Sequence, residues 1–389
     1  MIKPRILLVS YTIPENKMGG GLLLHRHFVQ RSDYEIGILT DNPGSVPVGY
    51  HRFFPEAPLL ARLKRTRFAT WAHDYTHLVH ARTLDRNLVR AAREFQPNLI
   101  FTVAENYLSF RALKLARHLK VPFAAYFMDW AHFAACQHRW VRPLMDRMFR
   151  QLYQNADLAL CISDGMLEEL GPHPNARVIY PTSADWVHAT PTTSSSNDPF
   201  EFCFVGNLSH WYGQQVANII TLCEDEPGLA LRVFGTHHNW SEAFERKQRE
   251  CGVFLGFKPF EELIPEFQRA DAFLLPMGFD PAAALIERTS FKTKFLDYLL
   301  FGKPILVWGP EYCTAVRVAR EYNAALCVTD PRPEAAIAGM RQLATEPALR
   351  AKLIANARMM REATFNNDAV YRVLKGALDG LVARTPHSC

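Results

Sequence analysis

Residues 290 to 305 read Ser290-Phe291-Lys292-Thr293-Lys294-Phe295-Leu296-Asp297-Tyr298-Leu299-Leu300-Phe301-Gly302-Lys303-Pro304-Ile305. The spacing predicts a loop ending near Ser290, a helix starting near Thr293, and an apolar strand over Pro304 to Gly309. Another apolar run, Asp271 to Met277, precedes the loop. Strand, helix and strand in succession are the unit of a parallel sheet. The alternation continues outward: apolar runs occur at Phe200 to Gly206, Ala230 to Gly235, Val253 to Phe257 and Ala324 to Thr329. From about Glu334 to Val382 the pattern is helical throughout. Toward the N-terminus the runs are Arg5 to Ser10, Tyr34 to Thr40, Asn98 to Val103, Val121 to Met128, Leu158 to Ser163 and Arg177 to Tyr180. Helical spacing separates most of these runs, as at Leu22 to Gln30, Arg82 to Phe95, Ser109 to Leu119 and Pro143 to Gln154.

Between the two series lies Ala184 to Pro199, with Pro191, Thr192, Thr193 and Ser194 to Ser196, a stretch that can bury little and reads as a linker. A chain of 389 residues suits two domains. The expected fold class is therefore α/β with two Rossmann-like domains. The expected boundaries are 1–185, a linker at 186–199, 200–365, and a C-terminal helix at 366–389 packing back toward the first domain. Parallel sheets bind ligands beyond the carboxyl ends of their strands, so two such domains are expected to enclose a cleft.

Composition narrows the function classes. The chain is 48% hydrophobic and 21% charged, as globular proteins are. No run reaches the roughly 18 apolar residues of a membrane span, and the start lacks the long apolar stretch of a signal peptide. The eight cysteines show no C-x-x-C pairing, as expected of buried thiols in a reducing cytoplasm. Residues 1–190 hold 23 Lys and Arg against 16 Asp and Glu, a net of +7, and the remainder carries 21 against 23. A basic first half suits an anionic partner, a phosphorylated acceptor or an acidic lipid surface, although solvated charge without a partner is the commoner cause of such a balance.

The opening stretch carries a chemical expectation of its own. A helix starting near Thr293 turns free N–H groups and the positive end of its dipole outward, which suits a diphosphate. Lys294 adds a full charge, and Asp297, three residues on, can accept the hydroxyls of a ribose. An ordinary capped helix with an exposed Lys and Asp is the alternative.

The segment Ser290 to Ile305 resembles the donor-site signature of glycosyltransferase family 4 and its GT-B relatives. Ala270-Asp271-Ala272-Phe273-Leu274-Leu275-Pro276 is similar to the family's preceding strand. Asn155-Ala156-Asp157 with Cys161-Ile162-Ser163, and Phe204-Val205-Gly206-Asn207-Leu208, resemble the end of its first domain and the first strand of its second. The likeness implies a GT-B fold, a nucleotide-sugar donor as co-substrate, and no metal or other cofactor. It assigns Lys294 to the diphosphate and Asp297 to the ribose. Gly206, Asn207, Gly235, Ser290, Lys292 and Thr293 would line the donor site, and the loop at Gly256-Phe257-Lys258 would hold the base, although a plain connection is as good a reading of that loop. In the first domain Gly19-Gly20-Gly21 would bring bare backbone to a phosphate or sugar, or form a plain turn. Asp129, after a strand and beside Trp130, is the leading candidate to take a proton from an acceptor hydroxyl; helix capping is the alternative. Glu105 and His132 are second candidates. Adjacent His237 and His238 lack a third ligand, so no metal is expected.

The pattern departs from the family in two places. Asp297 fills the second place of an E-x7-E pair, but the first falls on Thr289, with Glu287 two residues too early. Asn207 stands where relatives carry an Arg, so phosphate charge would be met by Lys292 and Lys294. The expected reaction is transfer of a sugar from a UDP- or GDP-sugar to a glycan or lipid-linked acceptor in surface polysaccharide synthesis. A non-catalytic donor-binding or scaffold protein and a UDP-sugar epimerase stay open beside it. Leu59 to Trp71, with Arg62, Lys64, Arg65 and Arg67, combines basic and apolar residues and can rest on an anionic membrane or be a solvated helix. No nucleic-acid module surrounds it. The expected location is the cytoplasm, with the inner face of the membrane open.

Overall fold

The structure, a computed structural model, describes residues 3–16, 19–44, 46, 48–130, 137–183, 198–236 and 238–383. The chain divides into two compact units. Unit one is Met1–Pro181 with Asp368–Cys389, and unit two is Thr182–Asn367.

Unit one contains a seven-stranded sheet. Its strands are β1 (Arg5–Val9), β2 (Glu35–Thr40), β3 (Tyr50–Phe53), β4 (Leu99–Val103), β5 (Phe123–Phe127), β6 (Leu158–Cys161) and β7 (Ala176–Val178). Every pairing is parallel, in the order β3-β2-β1-β4-β5-β6-β7. The central strands β4, β5 and β6 are buried along their whole length, which is why they read as unbroken apolar runs. The edge strand β3, Tyr-His-Arg-Phe, is exposed or half-buried and has no apolar run to announce it.

Side-chain caps set the helix starts. Asp85 accepts from Asn87 and Leu88 N–H and starts a helix at Arg86, later than the spacing suggested, and Asn106 starts another at Tyr107. The glycines do not form a loop ahead of a helix at Leu22; the helix is Gly19–Leu24 and runs on into a wider π turn, His25–Val29. The basic stretch after Pro58 is not one helix but two, Pro58–Leu63 and Ala69–Leu78.

The last helix, Asn367–Val382, packs on unit one through Tyr34 to Asp379 at 2.8 Å, Tyr371 to Asp33 at 2.7 Å and Arg31 to Asp368 at 2.7 Å. His27, buried against Tyr371, has its pKa pushed down to about 3 by burial. The chain passes between units near residues 182 and 367. Ser183 and Asn367 tie these passages together by two reciprocal hydrogen bonds, of 3.1 and 2.9 Å.

Unit two holds β8 (Phe200–Asn207), β9 (Leu229–Thr236), β10 (Ala272–Pro276), β11 (Ile305–Trp308) and β12 (Leu326–Val328), parallel, in the order β12-β11-β10-β8-β9. Phe202, Phe204, Val233, Leu274, Leu306 and Trp308 build its core with Ile219, Met340 and Leu343 from flanking helices. Val253 to Phe257, expected as a strand, makes only one bridge, Val233 to Phe254. Gly256, at φ +73°, turns the backbone out of the extended region and ends the pairing.

Candidate functional site

In unit two the strand order reverses direction between β8 and β10, the place where open parallel sheets hold ligands. The strand ends there are Gly206 and Asn207 on β8 and Pro276 on β10. The helix Thr293–Leu299 is pinned beside them. The Tyr298 hydroxyl accepts the Val205 N–H at 2.9 Å, and its ring stacks on Phe273 of β10 at 4.3 Å. Phe295, Leu296 and Leu299 are also buried.

This docking sets Lys294, on the first turn, against β8. Its ammonium lies 4.8 Å from the centre of the Phe204 ring, and a Cβ on Gly206 would fall on it, so any larger residue there must displace the ammonium. Among the described residues the ammonium has no hydrogen bond and no carboxylate partner. Burial, then repulsion from Lys292, pushes its pKa down to about 7, against a smaller opposing pull from Glu287. The helix is only seven residues long and has no side-chain cap, so the charge of Lys294, rather than a long dipole, dominates the electrostatics.

Beside Lys294 lies a residue that the sequence pattern set aside. Glu287, on the helix Ala284–Thr289, is fully buried. The Tyr212 hydroxyl donates to its carboxylate, and Lys292 Nζ stands 3.8 Å from Oε2 and 5.5 Å from the centre of the Tyr212 ring. A Cβ on Gly278 would stand 3.0 Å from Oε1. Thr289, at the place the family spacing selects, turns its hydroxyl onto its own helix, donating to Leu285 O at 2.8 Å. The spacing of motif letters misses Glu287 because the helix geometry decides which side chain faces the neighbours.

The other expected donor residues divide. Asp297 and Thr293 are half-buried on the same short helix. Ser290 is buried and its N–H bonds Ile286 O at 2.8 Å, ending the preceding helix. Asn207 is exposed and its side chain accepts Ser209 N–H at 2.8 Å, holding the turn that leaves β8. Gly235 pairs with Gly206 in register, and a Cβ on it would run into Gly206 O, so its need for glycine comes from the sheet itself. Phe257 is 60% exposed. His238 bonds Glu245 at 3.2 Å, and among the described residues no group of three His, Cys, Asp or Glu is placed to hold a metal.

Unit one has its own reversal of strand order, between β1 and β4. Glu105, just beyond β4, reaches across it. One carboxylate oxygen accepts Thr12 N–H at 2.6 Å and Ser10 Oγ–H at 3.2 Å, and the other accepts Thr12 Oγ1–H at 2.7 Å. Burial raises its pKa, and the bonds from Thr12 oppose the rise. The glycine segment lies over the same Thr12. A Cβ on Gly20 would stand 2.9 Å from Met128 Sδ and 3.4 Å from Thr12 Cγ2, and one on Gly21 would stand 2.9 Å from Ile13 O. The space beside both glycines is therefore filled by the protein itself. Asp129 is exposed next to Met128, while Trp130 is buried and donates to Asp146 at 2.8 Å. His132 lies outside the described residues.

Residues 191–360 match the family model described as Glycosyl transferases group 1. No sequence among curated proteins matches the chain. Among solved structures, a sucrose-phosphate synthase from Thermosynechococcus elongatus is similar over 99% of this chain and 100% of its own, at 14% identity and a TM-score of 0.67. Anabaena HepE in complex with UDP-glucose is similar over 97% and 99%, at 14% identity and 0.66. An α,α-trehalose 6-phosphate synthase from Burkholderia multivorans follows over 98% of each chain, at 11% identity and 0.62. Residues 191–360 are thus similar to the glycosyl transferases group 1, and the chain's two parallel sheets have the GT-B fold of these neighbours.

Proposed function

We propose that the chain moves a sugar from a UDP- or GDP-linked donor to a hydroxyl of a glycan or lipid-linked acceptor in surface polysaccharide synthesis, unit two holding the donor and unit one the acceptor. The observation that carries this reading is Lys294: a desolvated ammonium against an aromatic ring and bare backbone, with no ion pair among the described residues, at the reversal of strand order in unit two. Leaving a cation so poorly matched costs stability, and a bound diphosphate would restore its partner. HepE, similar in fold, has been solved with UDP and with UDP-glucose, which supports a nucleotide sugar as the ligand.

In this reading the acceptor oxygen attacks the anomeric carbon, its proton passes to Asp129, and the nucleotide diphosphate departs with the electrons of the broken C–O bond. Charge grows on the leaving oxygens, where Lys294 and Lys292 stabilise it more in the transition state than in the ground state. Asp297 takes the ribose hydroxyls, and Glu287, held by Tyr212 and Lys292, is placed to accept from a donor-sugar hydroxyl. Leu59, Arg62, Arg65, Arg67 and Phe68 are exposed, a basic and apolar surface suited to an anionic membrane. No helix among the described residues is long and apolar enough to cross one.

Asp129→Asn separates catalysis from binding. Transfer from a radiolabelled UDP- or GDP-sugar is expected to fall at least 100-fold, with the UDP-induced rise in melting temperature retained. Unchanged transfer removes Asp129 from the mechanism. If wild-type protein consumes the donor sugar by isomerising it with no acceptor present, epimerisation replaces transfer.

A further inference from the structure

Unit one carries, besides these residues, an exposed aromatic cluster built over a buried carboxylate. Trp71, on the helix Ala69–Leu78, is 59% exposed and Trp140 is 62% exposed, although tryptophan is ordinarily well buried. Both rings contact His138, at centroid distances of 4.6 Å for Trp71 and 6.0 Å for Trp140, and the two indoles lie 6.4 Å apart. His138 is held from its other edge. The Asp74 side chain, 5% exposed, meets His138 Nδ1 at 2.5 Å and the His138 backbone N–H at 3.4 Å. A carboxylate on Nδ1 fixes the orientation of the ring and leaves Nε2 as a polar atom of set direction.

We propose that Trp71, His138 and Trp140 form a saccharide-binding platform that receives the acceptor glycan. A pyranose has a face of C–H groups and a rim of hydroxyls, and its complement is an aromatic plane with a fixed polar atom at its edge. The cluster supplies two such planes and one such atom. A lipid surface would need the indoles but not a polar atom locked in direction by a carboxylate that is desolvated to hold it. The acceptor role rests on the transfer reaction proposed above; the binding of a saccharide does not.

The test uses the full chain with cellotriose, maltotriose and chitotriose, followed by saturation-transfer NMR, with the UDP-induced melting shift recorded on the same samples. Saturation is expected at the ring C–H protons of at least one trisaccharide. Its affinity is expected to fall about tenfold in Trp140→Ala and in Trp71→Ala, and to be largely kept in Trp140→Phe. The UDP shift should be the same in all four proteins. No transfer from any of the three sugars overturns the proposal, as does transfer that survives both alanine variants undiminished. It is also overturned if phosphatidylglycerol vesicles sediment the wild type but not Trp140→Ala while no sugar binds, because the surface then serves lipid. Sugar binding without any UDP shift leaves the platform standing and removes the donor reading alone.

Discussion

At the strand reversal of unit one a carboxylate is fully provided for, and at that of unit two an ammonium is not. Glu105 has both oxygens engaged by Ser10 and Thr12, and the room beside Gly20 and Gly21 is taken by Met128 and Ile13. Lys294 meets a ring and a glycine backbone, and among the described residues no carboxylate comes within ion-pair distance of it, Glu287 acting only from further off. The strand geometry is of the same kind in both places, so topology offers a position and side-chain satisfaction decides its use. In unit one the position is a structural joint that holds the loop after β1. In unit two it is a buried charge with no ion pair among the described residues.

The comparison breaks most sharply at Gly206. Gly206→Ala puts a methyl group where the ammonium sits, and no UDP-induced melting shift should remain, while the free protein, whose Lys294 side chain can swing aside, should keep its stability to within about 1 kcal/mol. A variant that still binds UDP would show that Lys294 has somewhere else to go. Lys294→Ala removes the charge without the clash. UDP affinity by calorimetry is expected to drop roughly 10- to 100-fold, the value of one charge-assisted contact, while the free protein melts no lower than wild type.

A pH series sharpens the contrast. The folded pKa of Lys294 is depressed to about 7 from its ordinary 10.5, so the unfolded chain holds the extra proton over that interval. This group therefore makes the free protein more stable as pH rises from about 7, whereas UDP, which needs the ammonium, should bind up to about tenfold less tightly per pH unit above 7. Lys294→Arg, charged throughout, should flatten the binding profile. The smallest expected effect lies in unit one: Glu105→Gln should cost about 1–3 kcal/mol in urea unfolding, since an amide cannot accept from both ends, and should leave UDP affinity unaltered.

Much of the fold could be read from residues because parallel strands are buried on both faces. Runs such as Leu99–Val103, apolar but for Thr102, and Phe123–Phe127 are buried along their length, and their partners announce themselves the same way. What escaped was structure that does not depend on such runs. Strand β3 is polar because it is an edge, Val253 to Phe257 stops pairing at one positive-φ glycine, and the helix at Gly19 begins on residues that ordinarily discourage one. At the site, Lys294 and Gly206 could be named from the sequence, but not that one fills the space left by the other. Glu287 was passed over because motif spacing counts letters, while burial of Glu287 and the inward bond of Thr289 depend on how a six-residue helix is rotated. The Asp74–His138 pair, 64 positions apart, left no local signal at all.

The placement of the helix Asn367–Val382 on unit one has a consequence for synthesis. Unit two is one unbroken span of chain, whereas unit one is interrupted and needs its final segment to cover Tyr34 and His27. A ribosome therefore delivers everything required for the second half before it delivers the last piece of the first. The half made first should be the one that matures last, and chains released after Asn367, without the segment that follows, should show protease-resistant unit two but not unit one.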